Sequence, residues 1–380
     1  MIRVLHTIPN IGRISAGPSA SVMSLCNGLQ DSVQITLAST DHPDLEKAHS
    51  FIKVFPNDLF LTRIGSSRGM YSWIKDSLQN QDFDLIHNHS LWLLQNLYPS
   101  WAASKFDTPI IISPRGTLAP AALKSGSKLK TLYWHLLQRQ ALQKASYFHA
   151  TSLAEMADIR TLGFKQPIIL IPNGVSTASH KIIHPKGHAP RKKILFLGRI
   201  HPIKGLSNLI KAWSIIESNN PDWDLEIVGP DLYKHLRALK NLALELSTQR
   251  VIFSNEVSGD EKQQKFLSAN IVILPSYSEN FGMVVAEALS YGIPCITSTG
   301  TPWQELPLHG GGWWTENNIK ALAGTMQDAL SLPSADLEVM GKAGRDWMAR
   351  DFSWDGICSK WIAVYDYILN NGEKPEYIYE

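Results

Sequence analysis

Two stretches of this 380-residue chain put chemically active residues where an apolar run gives way to a helical pattern. The first is Gly198-Arg199-Ile200-His201-Pro202-Ile203-Lys204-Gly205, directly after the strand-like run 193–197. Arg199 and Lys204 then sit at a strand's carboxyl end, in a loop that leads into a helix. Two cations there can neutralise a diphosphate and stabilise it as a leaving group. The second is Pro275-Ser276-Tyr277-Ser278-Glu279-Asn280-Phe281-Gly282-Met283-Val284-Val285-Ala286-Glu287, which follows strand 270–275 and opens a helix near 282. Gly282 lets a ligand approach the backbone closely. The free N–H groups of the helix's first turn form an anion site suited to a diphosphate. Glu279 lies just before the helix. Glu287 lies more than a turn into it, where a carboxylate can accept two hydroxyls as a ribose presents them.

The elements that must position these residues are short apolar strands alternating with helices. In the first half the runs are 2–8, 33–39, 84–89, 109–113, 147–150 and 167–171, with helical patterns at 18–30, 70–79 and 129–146. The second half repeats the scheme with strands 193–198, 225–229, 250–254, 270–275 and 293–298. Continuous apolar strands between helices predict an α/β chain of two doubly wound, parallel-sheet domains. The length points the same way, since single cores stop growing near ~250–300 residues. Residues 172–192 have the Pro- and Gly-rich composition of a linker. The domains are therefore placed at 1–185 and 186–353, with a C-terminal helix from 354 to 380. Ligands of such sheets bind at the carboxyl ends of the strands, so the two domains are expected to face one another across a cleft.

Composition narrows the function classes. Apolar residues make up 44% and charged residues 18%, which excludes a disordered or charge-driven chain. Cys26, Cys295 and Cys358 lie far apart, without metal-ribbon or disulfide-scaffold spacing. No apolar run reaches the ~18–20 residues that span a bilayer, and the N-terminus reads as a strand. These features predict a cytoplasmic chain, soluble or peripheral at the inner face of the plasma membrane. No basic-aromatic face suits a nucleic acid.

The two motifs together resemble the retaining glycosyltransferases of family 4, which have the GT-B architecture of two Rossmann-like domains. The matching residues are Gly198, Arg199, Lys204 and Gly205, then Glu279, Phe281, Gly282, Glu287 and Ala288. Ile171-Pro172-Asn173-Gly174-Val175 is similar to that family's domain-ending motif, and the likeness covers nearly the whole chain. It implies that Arg199 and Lys204 hold the donor diphosphate. Glu279 and the backbone of Asn280, Phe281, Gly282, Met283 and Val284 hold the donor sugar and phosphate, and Glu287 binds the ribose. Gly229 and the loop from Asn255 to Val257 flank the base. The resemblance also implies that the C-terminal helix crosses back to the first domain. It implies front-face substitution from a UDP- or GDP-sugar, with no metal and no other cofactor.

The first half departs from the family. Ala16-Gly17-Pro18 stands in place of a Gly-Gly pair near the diphosphate, so Gly17 carries over. Where many members have a histidine at the end of a strand, this chain has Ser113-Pro114-Arg115-Gly116, so Arg115 takes that place. His87 and His89 also end a strand, and His89 is the better placed of the two to touch acceptor or sugar. Asp82-Phe83-Asp84 matches a D-x-D metal motif but precedes its strand, away from the expected site. Gly310-Gly311-Gly312 reads as a turn.

Charge is uneven. Residues 1–190 carry 18 Lys+Arg against 11 Asp+Glu, and residues 191–380 carry 18 against 23. No acidic residue occurs from Thr108 to Ala154. Within that stretch Lys124, Lys128, Lys130, Arg139 and Lys144 accompany Leu132, Tyr133, Trp134, Leu136 and Leu137, the composition of an interfacial helix on an anionic membrane surface. Enzymes similar to this one extend lipid-linked sugars, so a lipid-linked saccharide acceptor in bacterial polysaccharide assembly is expected. A sugar-nucleotide epimerase on the same architecture is the alternative, as is a catalytically silent nucleotide-sugar-binding subunit. The epimerase would need acid/base groups clustered around a sugar carbon.

Overall fold

The computed structural model describes residues 1–12, 17–40, 49–59, 64–124, 128–176 and 191–380, without the side chains of Lys124 and Lys128. The chain forms two compact units. One comprises Met1–Gly174 with Trp354–Glu380, and the other Val175–Ser353. The expected domain boundary at 185/186 falls within 177–190, outside the described residues.

The first unit is built on eight strands: β1 (Arg3–Thr7), β2 (Gln34–Ser39), β3 (Ile52–Val54), β4 (Leu85–His89), β5 (Ile110–Ser113), β6 (Tyr147–Ala150), β7 (Ile168–Leu170) and β14 (Ile378–Tyr379). Their order is β14-β7-β6-β5-β4-β1-β2-β3. All neighbours are parallel except β14, which pairs antiparallel with β7. The second unit holds β8 (Lys192–Leu197), β9 (Trp223–Val228), β10 (Val251–Ser254), β11 (Ile271–Leu274), β12 (Cys295–Ser298) and β13 (Gly312–Thr315) in the order β10-β9-β8-β11-β12-β13. All of its pairs are parallel.

Both are doubly wound Rossmann-like sheets. Strand order reverses between β1 and β4 in one and between β8 and β11 in the other, and ligands bind at such switch points. The strands form because their β-branched runs are covered on both faces. All four residues of β5 and of β11 are buried.

The last helix, Trp354–Asn370, belongs to the first unit. It buries Ile357, Cys358, Trp361, Val364 and Tyr365 in a cluster shared with Val22, Leu25 and Cys26 of the helix Gly17–Leu29. A Cβ at Gly174 would lie 2.4 Å from the Trp354 ring, so the glycine of the Ile171–Val175 motif is what lets that indole seat.

Three strands escape the sequence reading. β3 and β14 are edge strands of three and two residues, and β13 is the edge partner of β12. Gly312, read as a turn, is the first residue of β13. A Cβ there would sit 1.9 Å from the Cys295 carbonyl oxygen, so only glycine allows that pairing. The expected helix 129–146 is helix Lys128–Tyr133, a π-turn Trp134–Gln138 and helix Arg139–Gln143.

Candidate active site

In the second unit both motifs meet at the β8/β11 switch point. Gly198 and Arg199 follow β8, and Pro275 follows β11. The motifs are held together by main chain: the Tyr277 amide donates to the Ile203 carbonyl at 2.8 Å. Gly205 permits that approach, since a Cβ on it would lie 2.1 Å from the Pro275 oxygen, and its φ is +71°. The short 3-10 turn Pro202–Lys204 is capped by His201, whose Nδ1 accepts from the Ile203 amide at 3.1 Å.

Lys204 consequently reaches Glu279, and Nζ and carboxylate form an ion pair with little exposure. Ser276 Oγ donates to the same carboxylate at 3.2 Å. Arg199 is exposed at the end of β8 and makes no hydrogen bond or ion pair among the described residues. A fixed Lys–Glu pair and a free guanidinium can together receive a diphosphate and an adjoining sugar hydroxyl.

The helix Met283–Ser290 starts from Gly282 at φ +79°. Its first amides, Met283 and Val284, have no intrahelical carbonyl to donate to. Phe281 is buried, and its carbonyl accepts from Trp303 Nε1 at 2.6 Å. What Phe281 offers a ligand is therefore its main chain, with the ring serving as the anchor of the loop. Asn280 lies in the same loop. One turn along the helix, Glu287 accepts from Lys262 Nζ at 2.7 Å, a partner the sequence reading did not identify. Gly229, after β9, has φ +152°, and a Cβ on it would lie 1.9 Å from the Gly198 oxygen. The ends of β8 and β9 close up because Gly229 carries no Cβ. Val257 is half-buried against the core of this unit.

In the first unit Gly17 is the first residue of its helix, and a Cβ there would meet nothing within 4 Å. Ala16 lies outside the described residues. His87 and His89, two apart on β4, point to one side, where they join His6 of β1 and His149 of β6. All four are buried. Sequence reasoning missed His6, His149 and Tyr365. A histidine repeated near the ends of neighbouring strands was the available signal.

These residues form one hydrogen-bonded chain. Arg115 Nη2 lies 3.3 Å from His89 Nδ1, and His89 Nε2 lies 3.0 Å from His6 Nδ1. His6 Nε2 is 3.3 Å from the Tyr365 hydroxyl, which is 3.2 Å from His87 Nδ1. His87 Nε2 and His149 Nδ1 each lie 2.7 Å from Ser113 Oγ, and His149 Nε2 is 2.8 Å from the Ile171 carbonyl.

The ends fix the direction. Arg115 can only donate and a carbonyl can only accept. Traced from either end, every imidazole is the neutral Nε2–H tautomer, and every proton points from Arg115 toward Ile171. Burial, then the Arg115 charge, holds the pKa of His6 and of His149 down to about 3. His87 and His89 are also held well below the ordinary value, chiefly by burial. Nitrogens of His6, His87 and His89 lie within 4.8 Å of one another, a spacing a metal can use. In this chain each of their lone pairs already accepts a hydrogen bond, and a guanidinium stands beside them. The site therefore suits neutral imidazoles rather than a cation.

His89 is thus a link in a buried network rather than an exposed contact residue. Arg115 is held in the left-handed region at φ +58° and donates to Asn173 Oδ1 at 2.5 Å. Asp84 of the D-x-D sequence is tied to Arg3, its carboxylate accepting from the Arg3 amide at 2.8 Å and from the guanidinium.

The acid-free segment differs from expectation in its cations. Lys130 does not face outward: Nζ donates to the Ala122 carbonyl and lies 4.4 Å from the centre of the Trp92 ring. Arg139 donates to the Leu162 carbonyl at 3.2 Å. Lys124 and Lys128 fall outside the described side chains. What the segment does expose is Leu129, Leu132 and Leu136, at 75%, 54% and 55%, on one helical face. Among the described residues no helix is long and apolar enough to cross a membrane.

Two family models match, described as Glycosyltransferase Family 4 over residues 16–179 and Glycosyl transferases group 1 over residues 180–347. An uncharacterized glycosyltransferase of Haemophilus influenzae is 29% identical over 202 residues, covering 50% of this chain and 55% of that protein. The chain thus spans about half the length of that relative. A glycogen synthase of Mycobacterium tuberculosis is 22% identical over 95% of this chain and 86% of its own length. The crystal structure of HepE from Anabaena in complex with UDP-glucose superposes with a TM-score of 0.75 at 18% identity, covering 98% of this chain and 100% of the other. At that identity the likeness is one of fold.

Proposed function

We propose that this chain, which belongs to the family 4 glycosyltransferases of GT-B fold, transfers a sugar with retention from a nucleotide-diphosphate sugar to a saccharide hydroxyl. The carrying observation is the cluster at the β8/β11 switch point: exposed Arg199, the Lys204–Glu279 pair and the helix that opens at Gly282. Catalysis is a matter of placement and charge. Arg199, Lys204 and the amides of Met283 and Val284 take the charge that grows on the departing diphosphate. Glu279 orients the donor sugar, and Glu287 accepts the ribose hydroxyls. The leaving phosphate accepts the acceptor's proton on the same face, so the anomeric configuration is kept. The donor is a UDP- or GDP-sugar, and no metal takes part.

The test is incubation with a panel of UDP- and GDP-sugars in EDTA, following nucleotide release and product anomer by NMR. Transfer or slow hydrolysis with retention supports the reading. Inversion, a strict requirement for Mg²⁺ or Mn²⁺, or equilibration of epimers with nucleotide sugar alone overturns it.

The acceptor in this reading is a lipid-linked saccharide of bacterial surface polysaccharide, reached at the cytoplasmic face. The exposed leucine face supports it: Leu129, Leu132 and Leu136 supply apolar contact, and Lys124 and Lys128 flank them in sequence. Co-sedimentation with anionic and neutral vesicles tests it. Changing the three leucines to Ser should weaken binding at all salt concentrations, and Lys124→Glu with Lys128→Glu should weaken it at low salt. A wild-type protein that stays in the supernatant with both vesicle types ends the membrane reading.

A further inference from the structure

We infer that Arg115 is an anion-receiving residue of the first unit, placed to take a phosphate or carboxylate carried by the acceptor saccharide. This deepens the transferase reading and rests on it for the identity of the ligand as an acceptor.

The inference starts from how the guanidinium is kept. Arg115 is more than nine-tenths buried, and buried arginines are ordinarily neutralised by a carboxylate. Here none does so. Arg115 makes no ion pair among the described residues. The carboxylate nearest in the network, Glu155, spends its oxygens elsewhere. It accepts from the Gly116 amide at 2.6 Å, the Thr151 amide at 2.8 Å and the Thr151 hydroxyl at 2.9 Å.

What Arg115 touches instead is neutral: Asn173 Oδ1 and the Nδ1 lone pair of His89. The histidine chain runs one way, so each link turns its negative end toward Arg115. Seven aligned hydrogen bonds act as a dipolar counter-charge, which steadies the cation without cancelling it. The group keeps a full positive charge at neutral pH, even though burial lowers its pKa to about 10.

Two further observations point to a ligand. Arg115 Nε is a buried donor with no acceptor. An orphan donor on a charged group is costly, and an incoming anion would satisfy it. Of the two contacts the guanidinium makes, the one to His89 is 3.3 Å, at the weak end of the hydrogen-bond range, so it is the one to exchange. The backbone is also strained here. Arg115 has φ +58°, and on the neighbouring loop after β4, Ser90 and Trp92 have φ +70° and +81°. Three non-glycine residues in the left-handed region at the carboxyl ends of adjacent strands mark a functional edge. A packing role alone would leave the strain and the empty donor unexplained.

Calorimetric titration on protein saturated with UDP, or with GDP if UDP does not bind, keeps Arg199 and Lys204 occupied. Glucose 6-phosphate, glucuronate and neutral glucose are then compared. The expected result is that at least one anionic sugar binds tenfold or more tightly than glucose. That advantage should vanish in Arg115→Gln and persist in part in Arg115→Lys.

Asn173→Asp is the decisive variant, because it places a carboxylate on the guanidinium without changing volume. It should abolish the anion preference while the thermal midpoint holds or rises, and it decides the matter if Arg115→Gln fails to fold. Equal binding of charged and neutral sugars, or an anion preference untouched by Asn173→Asp, overturns the inference. A separate arm compares UDP-glucuronate with UDP-glucose. If Arg115→Gln weakens only the former, the anion belongs to the donor and the acceptor assignment fails. None of these readouts needs turnover, so loss of the transferase reading is seen independently in the nucleotide-sugar assay.

Discussion

Mild acid should destabilise the first unit steeply. His6 and His149 have folded pKa values of about 3, against an unfolded value near ~6.5. Where the folded pKa lies below the unfolded one, the unfolded state binds the extra proton. Stability is then full above the unfolded pKa, and falls as pH drops from ~6.5 toward the folded value. At pH ~5.5 an unfolded histidine is about nine-tenths protonated and these two are neutral. Each costs about 1.4 kcal/mol, so the pair costs roughly 3 kcal/mol. His87 and His89 shift in the same direction and add to the loss. Against a typical stability of ~5–15 kcal/mol this is a large share. Urea unfolding at pH 7.5, 6.5, 5.5 and 5.0, read by pulse proteolysis of fragments from the first unit, gives the slope of free energy against pH. The expected slope below pH 6 corresponds to at least two protons bound on unfolding. Imidazole ¹⁵N spectra should show four neutral Nε2–H rings down to pH 5. A slope of one proton or less, or two of these rings titrating above pH 5.5, would refute the one-way chain.

Three other outcomes are expected. Glu287→Ala should weaken nucleotide binding by roughly 1.5–3 kcal/mol, the worth of hydrogen bonds to a charged group, with the fold intact; calorimetry with UDP and GDP checks it. Arg199→Ala should lower kcat more than nucleotide affinity, since charge on the leaving group grows in the transition state, and EDTA should leave the wild-type rate unchanged. Gly229→Ala should destabilise the second unit by about 1–3 kcal/mol, because its Cβ falls 1.9 Å from the Gly198 oxygen; thermal unfolding measures this.

The parts legible in the sequence were those with a local signature. β8 and β11 announce themselves as apolar runs, and Arg199, Lys204, Glu279 and Glu287 are fixed relative to them by short spacings. The short edge strands were illegible, since two or three residues carry no period and β14 forms only because β7 offers an open edge. The direction of Lys130 was illegible for another reason. A lysine on an amphipathic segment looks solvated until Trp92, 38 positions away, supplies a ring for its ammonium. The histidine chain was half visible. His87 and His89 alternate on one strand, but His6, His149 and Tyr365 join them only through sheet order and the docking of a helix more than 200 residues later. The π-turn at Trp134–Gln138 belongs to the same class. It turns Gln138 inward, where its side-chain oxygen accepts from the Trp92 amide at 3.0 Å, and no composition rule anticipates that bond.

Lys204 and Lys262 of the second unit are held in the opposite way to Arg115 of the first, and the difference bears on what each can bind. In the second unit Lys204 and Lys262 are matched with Glu279 and Glu287. Such pairs are nearly self-sufficient, so a ligand must displace one partner with another. A diphosphate takes Lys204 as a sugar hydroxyl takes Glu279, and a ribose competes with Lys262 for Glu287. The exchange is close to neutral in charge, which suits a donor that must also leave. In the first unit Arg115 has dipoles in contact with it, and its nearest supporting carboxylate, Glu155, makes no ion pair with it. A neutral ligand could accept from the unpartnered Nε–H but would leave the charge of the guanidinium unmatched. A ligand bringing its own negative charge gains most, since the cost of burying the guanidinium has already been met by the fold. Selectivity for an anionic partner would then follow from the absence of a carboxylate within 4 Å of Arg115 among the described residues, a feature that Asn173→Asp is designed to remove.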